Sequence, residues 1–287
     1  MKKPPKDQCI VLPLRPLPPQ RFNGIGLALH FLIGNILVLH TNLKEMWFGW
    51  RVRKIFPEAS SLKRYCRQID KVVDLQQLAD SQKIRNWIYG SFTNQAAELN
   101  FFDQHTRPKK SSPIQLPIST GDGLIEFRQK CMDWFASLGW PMPTNQVKAA
   151  LWKEEIGSDG LDIVGRSLET LYLYSYGGEK ELELTPFKKA VAVAPNSFMA
   201  LDLYGWALYR NRNYKAAHDA FLASIAINPA GAGAMSGLMW CGVYDKDLEE
   251  AMFWSGRKAD VCGKDVEEAR NAGRKRYDKI HTPIKKE

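Results

Sequence analysis

"NYKAAHDAFLASIAINP", residues 213–229, places Ala217, Ala220, Phe221 and Ser224 at spacings of three and four. Those spacings put all four on one face of a helix. Small residues on such a face let a second helix approach closely, and a single phenyl ring fills the gap between them. Pro229 closes the pattern because proline cannot donate the next backbone hydrogen bond. Another proline, Pro195, stands at the far end of the preceding helical pattern. Between the two prolines lie two such patterns, Met199–Asn211 and Tyr214–Ile227, split by the polar turn "RNRN". A helical hairpin of fixed length is the unit from which stacked repeats are built.

Counted back from Pro229, Leu201, Tyr204, Gly205, Leu208, Ala217, Phe221 and Ser224 fall on the signature positions of the tetratricopeptide repeat, and the segment resembles that family. The interval from Pro195 to Pro229 equals the period of that repeat. Leu201 stands where the family usually has tryptophan, and Ser224 where it usually has alanine. The neighbouring segments are more degenerate. Upstream, "PFKKAVAVAP" (Pro186–Pro195) reads as a second helix with Phe187 and Ala190 in register. Its first helix falls near "GLDIVGRSLETLYLYSYG", which lacks the signature glycine. Downstream, "MSGLMWCGVYDKDLEEAMFWSGRKAD" gives another hairpin with Ala251 in register, Ser255 in place of the large aromatic residue, and Gly263 in place of the closing proline. "DVEEARNAGRKRYDKI" reads as a capping helix whose polar face ends the stack. Repeats are therefore expected over 143–263, with a capping helix and basic tail over 264–287.

The resemblance implies a concave face made by the first helix of each hairpin and used to bind a protein segment. Carried over residue by residue, that face holds Met199, Asp202, Trp206, Tyr209 and Arg210 in the best repeat, and Ser236, Trp240 and Tyr244 in the next. Trp206 and Trp240 are separated by the same interval as Pro195 and Pro229, so they should form one ridge. Tryptophan suits such a role because it buries a large area and still offers an N–H donor. The alternative is that both pack against the front half. Some family members clamp carboxy-terminal chaperone tails with lysine and asparagine at positions where this chain has Asp202 and Trp206, so that ligand is not expected.

The front half reads differently. "CIVLPL" is a short strand pattern ended by proline, "GIGLALHFLIGNIL" a helix apolar on most sides, and "EMWFGWRV" another strand pattern. "WIYGSFT" and "ELNFFD" read as antiparallel strands joined by "NQAA". "IQLPI" is a further strand, and "GDGLIEFRQKCMDWFASLG" an amphipathic helix that starts after Asp122, its expected cap. This order, over about residues 9–140, is similar to the amino-terminal α/β domain of TolB and its relatives. The expected fold is thus α+β with two domains: a mixed-sheet α/β domain over 9–142 behind a basic tail at 1–8, then an all-α repeat stack.

Composition bounds the function. The net charge of +9 sits wholly in the front half, where residues 1–142 carry 20 basic and 11 acidic side chains against 20 and 20 in the remainder. Arg51, Arg53 and Lys54 in "WFGWRVRK", and Arg107, Lys109 and Lys110 in "RPKK", mix with aromatics as a surface for single-stranded nucleic acid would. Burial of the aromatics in a strand explains the first pattern better, so nucleic acid is disfavoured. Five cysteines without a CxxC pair read as reduced thiols. His30, Asn35 and His40 interrupt the longest apolar run, so no membrane span is expected. The basic, proline-rich start is not read as a secretory signal, which points to the cytoplasm. No catalytic or metal-binding motif stands out, and no cofactor is expected. The expectation is a non-enzymatic adaptor that grips a protein partner. The alternatives are a self-associating subunit organising a larger assembly, and a ligand sensor or nucleic-acid binder built on the front domain.

Overall fold

The computed structural model describes residues 8–18, 24–41, 43–45, 80, 84–93, 95–104, 114–118, 123–140, 154–177 and 181–282. Among these, six strands form one mixed sheet: β1 (Gln8–Val11), β2 (Arg15–Pro16), β3 (Lys44–Glu45), β4 (Asn86–Phe92), β5 (Ala96–Asp103) and β6 (Ile114–Pro117). Their order is β3-β1-β4-β5-β6, with β2 also pairing β4. β1 runs parallel to both β3 and β4, while β4–β5 and β5–β6 are antiparallel. β1 has neighbours on both sides, and its last three residues are buried, as its unbroken apolar run requires. The expected β4–β5 hairpin is present, but Ala96 and Ala97 belong to the strand instead of the loop. The Thr93 hydroxyl accepts the amides of Gln95 and Ala96, which closes the turn early. The strand pattern "EMWFGWRV" beyond Glu45, the Asp122 cap, Cys66, and the basic residues Arg51, Arg53, Lys54, Arg107, Lys109 and Lys110 lie outside the described residues.

Helix α1 (Ile25–His40) is buried everywhere except Val38. It packs beside α2 (Gly123–Ser137), and both belong to the core that includes the sheet. Its other side lies against α3 (Ser158–Tyr172), the first helix of the stack. A helix enclosed on so many sides has no polar face to show, which accounts for its near-continuous apolar sequence. The approach of α1 to α3 is backbone to backbone. The Gly24 amide donates to Asp162 Oδ1 at 2.5 Å, and a side chain on Gly165 would run into the Gly24 carbonyl. Inside this contact His30 bridges layers, meeting the Tyr172 hydroxyl at 3.3 Å. Burial drops its pKa to about 4, although the Val11 backbone acts in the opposite direction. No helix among the described residues is long and apolar enough to cross a membrane.

The rest is a stack of helical hairpins. A π-helical turn, Leu173–Gly177, extends α3, which pairs with α4 (Thr185–Val193). α5 (Phe198–Arg210) pairs with α6 (Tyr214–Ile227), α7 (Ala232–Tyr244) with α8 (Leu248–Val261), and α9 (Val266–His281) covers α8. The two best hairpins turn identically. Arg212 and Lys246, equivalent positions in successive repeats, both take left-handed backbone angles, φ 61° and 63°. The next residue in each, Asn213 or Asp247, caps the following helix by accepting the amide three residues on. Gly263, where the pattern lacks a proline, ends α8 with φ 61°. Phe221 of α6 is fully buried between α5 and α7, where its ring occupies the space a side chain on Gly205 or Gly237 would need.

One apolar core runs without a break from the sheet through α1, α2 and α3 to α5, and a smaller cluster joins α5 to α7 around Phe221. The sheet half and the helical half therefore share their packing across α1.

Candidate functional site

α3, α5 and α7 lie side by side, so residues one repeat apart line up as rows across them. Two rows matter: Leu168, Asp202 and Ser236, and then Tyr172, Trp206 and Trp240. Each step along a row equals the interval from Pro195 to Pro229. All six line a groove of about 370 Å³. α1 forms the opposite wall with Phe31, Asn35 and Val38, and Lys258 enters from α8. The groove thus belongs to both halves of the chain.

The expected partner-binding residues divide into three groups. Asp202, Trp206, Arg210, Ser236 and Trp240 come together in the groove, with Arg210 at the exposed end of α5. Tyr209 and Tyr244 lie outside it and join Tyr214 in an aromatic cluster. Tyr214 and Tyr244 stack at 4.7 Å between centroids and 8° between planes, and Tyr209 meets Tyr244 edge-on at 5.8 Å. Burial and the Tyr244 hydroxyl beside it push the Tyr209 phenol well above its ordinary range. Met199 corrects the expectation: its side chain is 0% exposed and sits in the core with Ala200 and Leu203. The start of α5 is covered on several sides, so Met199 offers nothing to a partner.

The polar chemistry of the groove centres on Asp202, which is only 3% exposed. Burial pushes its carboxyl up to about 7, with the Trp206 indole N–H and the Lys258 ammonium pulling the other way. Its Oδ1 has no hydrogen-bond partner. Lys258, its pKa lowered by burial, donates from Nζ to Ser236 Oγ at 2.6 Å. Ser236 Oγ in turn donates to the Ala232 carbonyl at 3.0 Å. Trp206 and Trp240 are half-buried, each showing part of its surface to the groove.

The lining has a carboxyl, an ammonium, a hydroxyl and aromatic faces around an apolar floor, the mix of a few placed polar groups on apolar walls that ligand sites share. Among the described residues no group of three metal-ligating side chains converges anywhere. Cys9, Cys131, Cys241 and Cys262 are buried, and burial pushes the Cys241 thiol up to about 12. Thiols so placed are poor nucleophiles.

Residue patterns alone missed the α1 wall, the α3 row and Lys258. The α3 row carried a signal, because Tyr172 and Leu168 fall one repeat before Trp206 and Asp202. Nothing in the sequence places α1 across the stack. Comparison of the sequence with profiles of known protein families gave no match, and comparison with curated proteins gave none.

Proposed function

We propose that the protein is a non-enzymatic adaptor that takes a segment of a partner protein along the groove between α1 and the first helices of the stack. The observation that carries this is the row of Tyr172, Trp206 and Trp240 along one open groove, with both indoles only half-buried. Aromatic side chains that stay partly uncovered in a monomer are the residues that most often anchor a partner. Under this proposal the stack is a degenerate tetratricopeptide array, supported by the evenly spaced rows and the identical hairpin turns at Arg212 and Lys246. Under the same proposal the front half is related to the TolB amino-terminal domain, a reading in keeping with its mixed sheet. A reducing, cytoplasmic setting agrees with the burial of Cys9, Cys131, Cys241 and Cys262.

The test is a selection of random displayed peptides on the full-length chain, repeated on Trp240→Ala. The expected result is a shared motif enriched on the wild type and lost on the variant, with circular dichroism and melting little changed. No enrichment, or enrichment that ignores Trp240, overturns the proposal.

A further inference from the structure

We propose that the segment taken in the groove presents one acidic side chain to its inner end, where the Lys258 ammonium is the counter-ion of the carboxylate. The inference rests on the adaptor reading, since the acid is carried by the segment lying in the groove.

The charges of the lining do not balance. Lys258 and Arg210 are its cations, and Asp202 is the one acidic group among the described lining residues. Neither cation makes an ion pair among the described residues. Asp202 does not supply the missing anion, because it is 3% exposed and its Oδ1 is shut off from the groove. Burial, which lowers the pKa of Lys258, outweighs the opposing pull of that carboxyl. A buried ammonium without an anion forfeits its hydration with little in return.

The hydrogen-bonding groups point the same way. An ammonium carries three donors. Lys258 gives one to Ser236 Oγ at 2.6 Å and has no further partner among the described residues. The indole N–H of Trp240, also on the lining, has none among them. The lining therefore offers donors, and the matching group on a ligand is an acceptor. Ser236 shares the row of Asp202, which places Lys258 at the end of the groove away from the exposed Arg210. Arg210 lies about two turns beyond Asp202 on α5, about 12 Å along its axis. An exposed cation so placed draws an anion toward the groove without holding it.

One carboxylate suits this lining better than a phosphate. Two cations against one carboxyl leave a single surplus positive charge, which a carboxylate cancels and a phosphate dianion exceeds. The remaining walls, Phe31, Leu203, Trp206 and Trp240 among them, are apolar or aromatic and suit the methylene stem of an acidic side chain.

Calorimetry on the full chain tests this with hexanoate, hexanamide, hexylammonium and inorganic phosphate as probes. Hexanoate is expected to bind, and the amide and the amine to bind about tenfold more weakly or worse, the scale of one charge-assisted hydrogen bond. Lys258→Met keeps the stem and removes the charge, so it should erase that preference, with melting showing that the variant folds. Asp202→Asn removes the opposing charge and should hold hexanoate at least as tightly as the wild type. Equal binding of the amide or the amine, tighter binding of phosphate, an undiminished preference in Lys258→Met, or weaker hexanoate binding in Asp202→Asn overturns the proposal. Selected peptides without aspartate or glutamate, together with silent hexanoate, refute the acid and leave the adaptor reading standing. Hexanoate held through Lys258 while no peptide is selected refutes the partner segment as the source of the carboxylate.

Discussion

The indole of Trp206 stands edge-on to the ring of Phe221, with centroids 5.4 Å apart. One residue therefore serves as groove wall and as packing for the buried ring that joins α5 to α7. Trp240 touches the groove without that duty, its nearest ring contact being Tyr244 at 6.5 Å. Trp206→Ala should thus cost about 3 kcal/mol of stability or more, against about 1 kcal/mol for Trp240→Ala. Urea unfolding of the two variants checks this, and equal losses would place Trp240 in the core as well.

The contact of Gly24 with Gly165 leaves no room for a methyl group. Gly165→Ala should force α1 away from α3 and destabilise the fold by about 2 kcal/mol, as overpacking of rigid backbone does. It should also lower peptide capture, because α1 is one wall of the groove. A thermal melt and the displayed-peptide assay on the same sample read both effects.

Arg212 and Lys246 hold left-handed backbone angles that side chains disfavour. Glycine at either position relieves that strain at some cost in unfolded-chain entropy. Arg212→Gly and Lys246→Gly should each stabilise by roughly 0.5–1 kcal/mol, additively, since the turns lie in different hairpins. Chemical denaturation of the single and double variants measures it.

Acid pulls on this fold in two directions. His30 and His40 are held near pKa 4 by burial, with Arg128 adding to the effect at His40. A depressed histidine contributes stability above its ordinary value of 6.5 that is lost as pH falls toward 4. Asp202 behaves oppositely: its burial is free of penalty below 3.8, its ordinary value, and costs progressively more as pH rises toward 7. Between about pH 7.5 and about pH 5 each histidine should cost about 2 kcal/mol, while Asp202 returns a similar amount. Asp202→Asn should therefore steepen the acid loss by about 2 kcal/mol and raise stability at about pH 8. Urea midpoints at the two ends of that range decide it, and parallel curves for variant and wild type would refute the assignment.

The helical half was legible because its signals are local. Small residues at helical spacing, prolines one repeat apart and polar hairpin turns state the hairpins directly, and Tyr214–Ile227 matches α6 residue for residue. The β4–β5 hairpin and α2 were legible from alternation and from the flanking turn residues. Met199 misled because its place in the register says which way a residue faces within its own repeat and nothing about what lies against that repeat. The α1 wall and Lys258 were invisible for the same reason: both reach the groove through contacts between segments far apart in the chain, which no spacing encodes.

Arrays of helical hairpins are ordinarily modular, since each unit touches only its neighbours and the array tolerates being lengthened or trimmed. Here α1 begins against α3 at Gly24 and ends near the third hairpin, where Leu39 clusters with Ala232, Met235 and Val261. It works as a ruler laid against the stack. A hairpin inserted or deleted between α3 and α7 would carry the far end of the array off the end of that ruler, so the sheet-side helix fixes the spacing between its two points of contact.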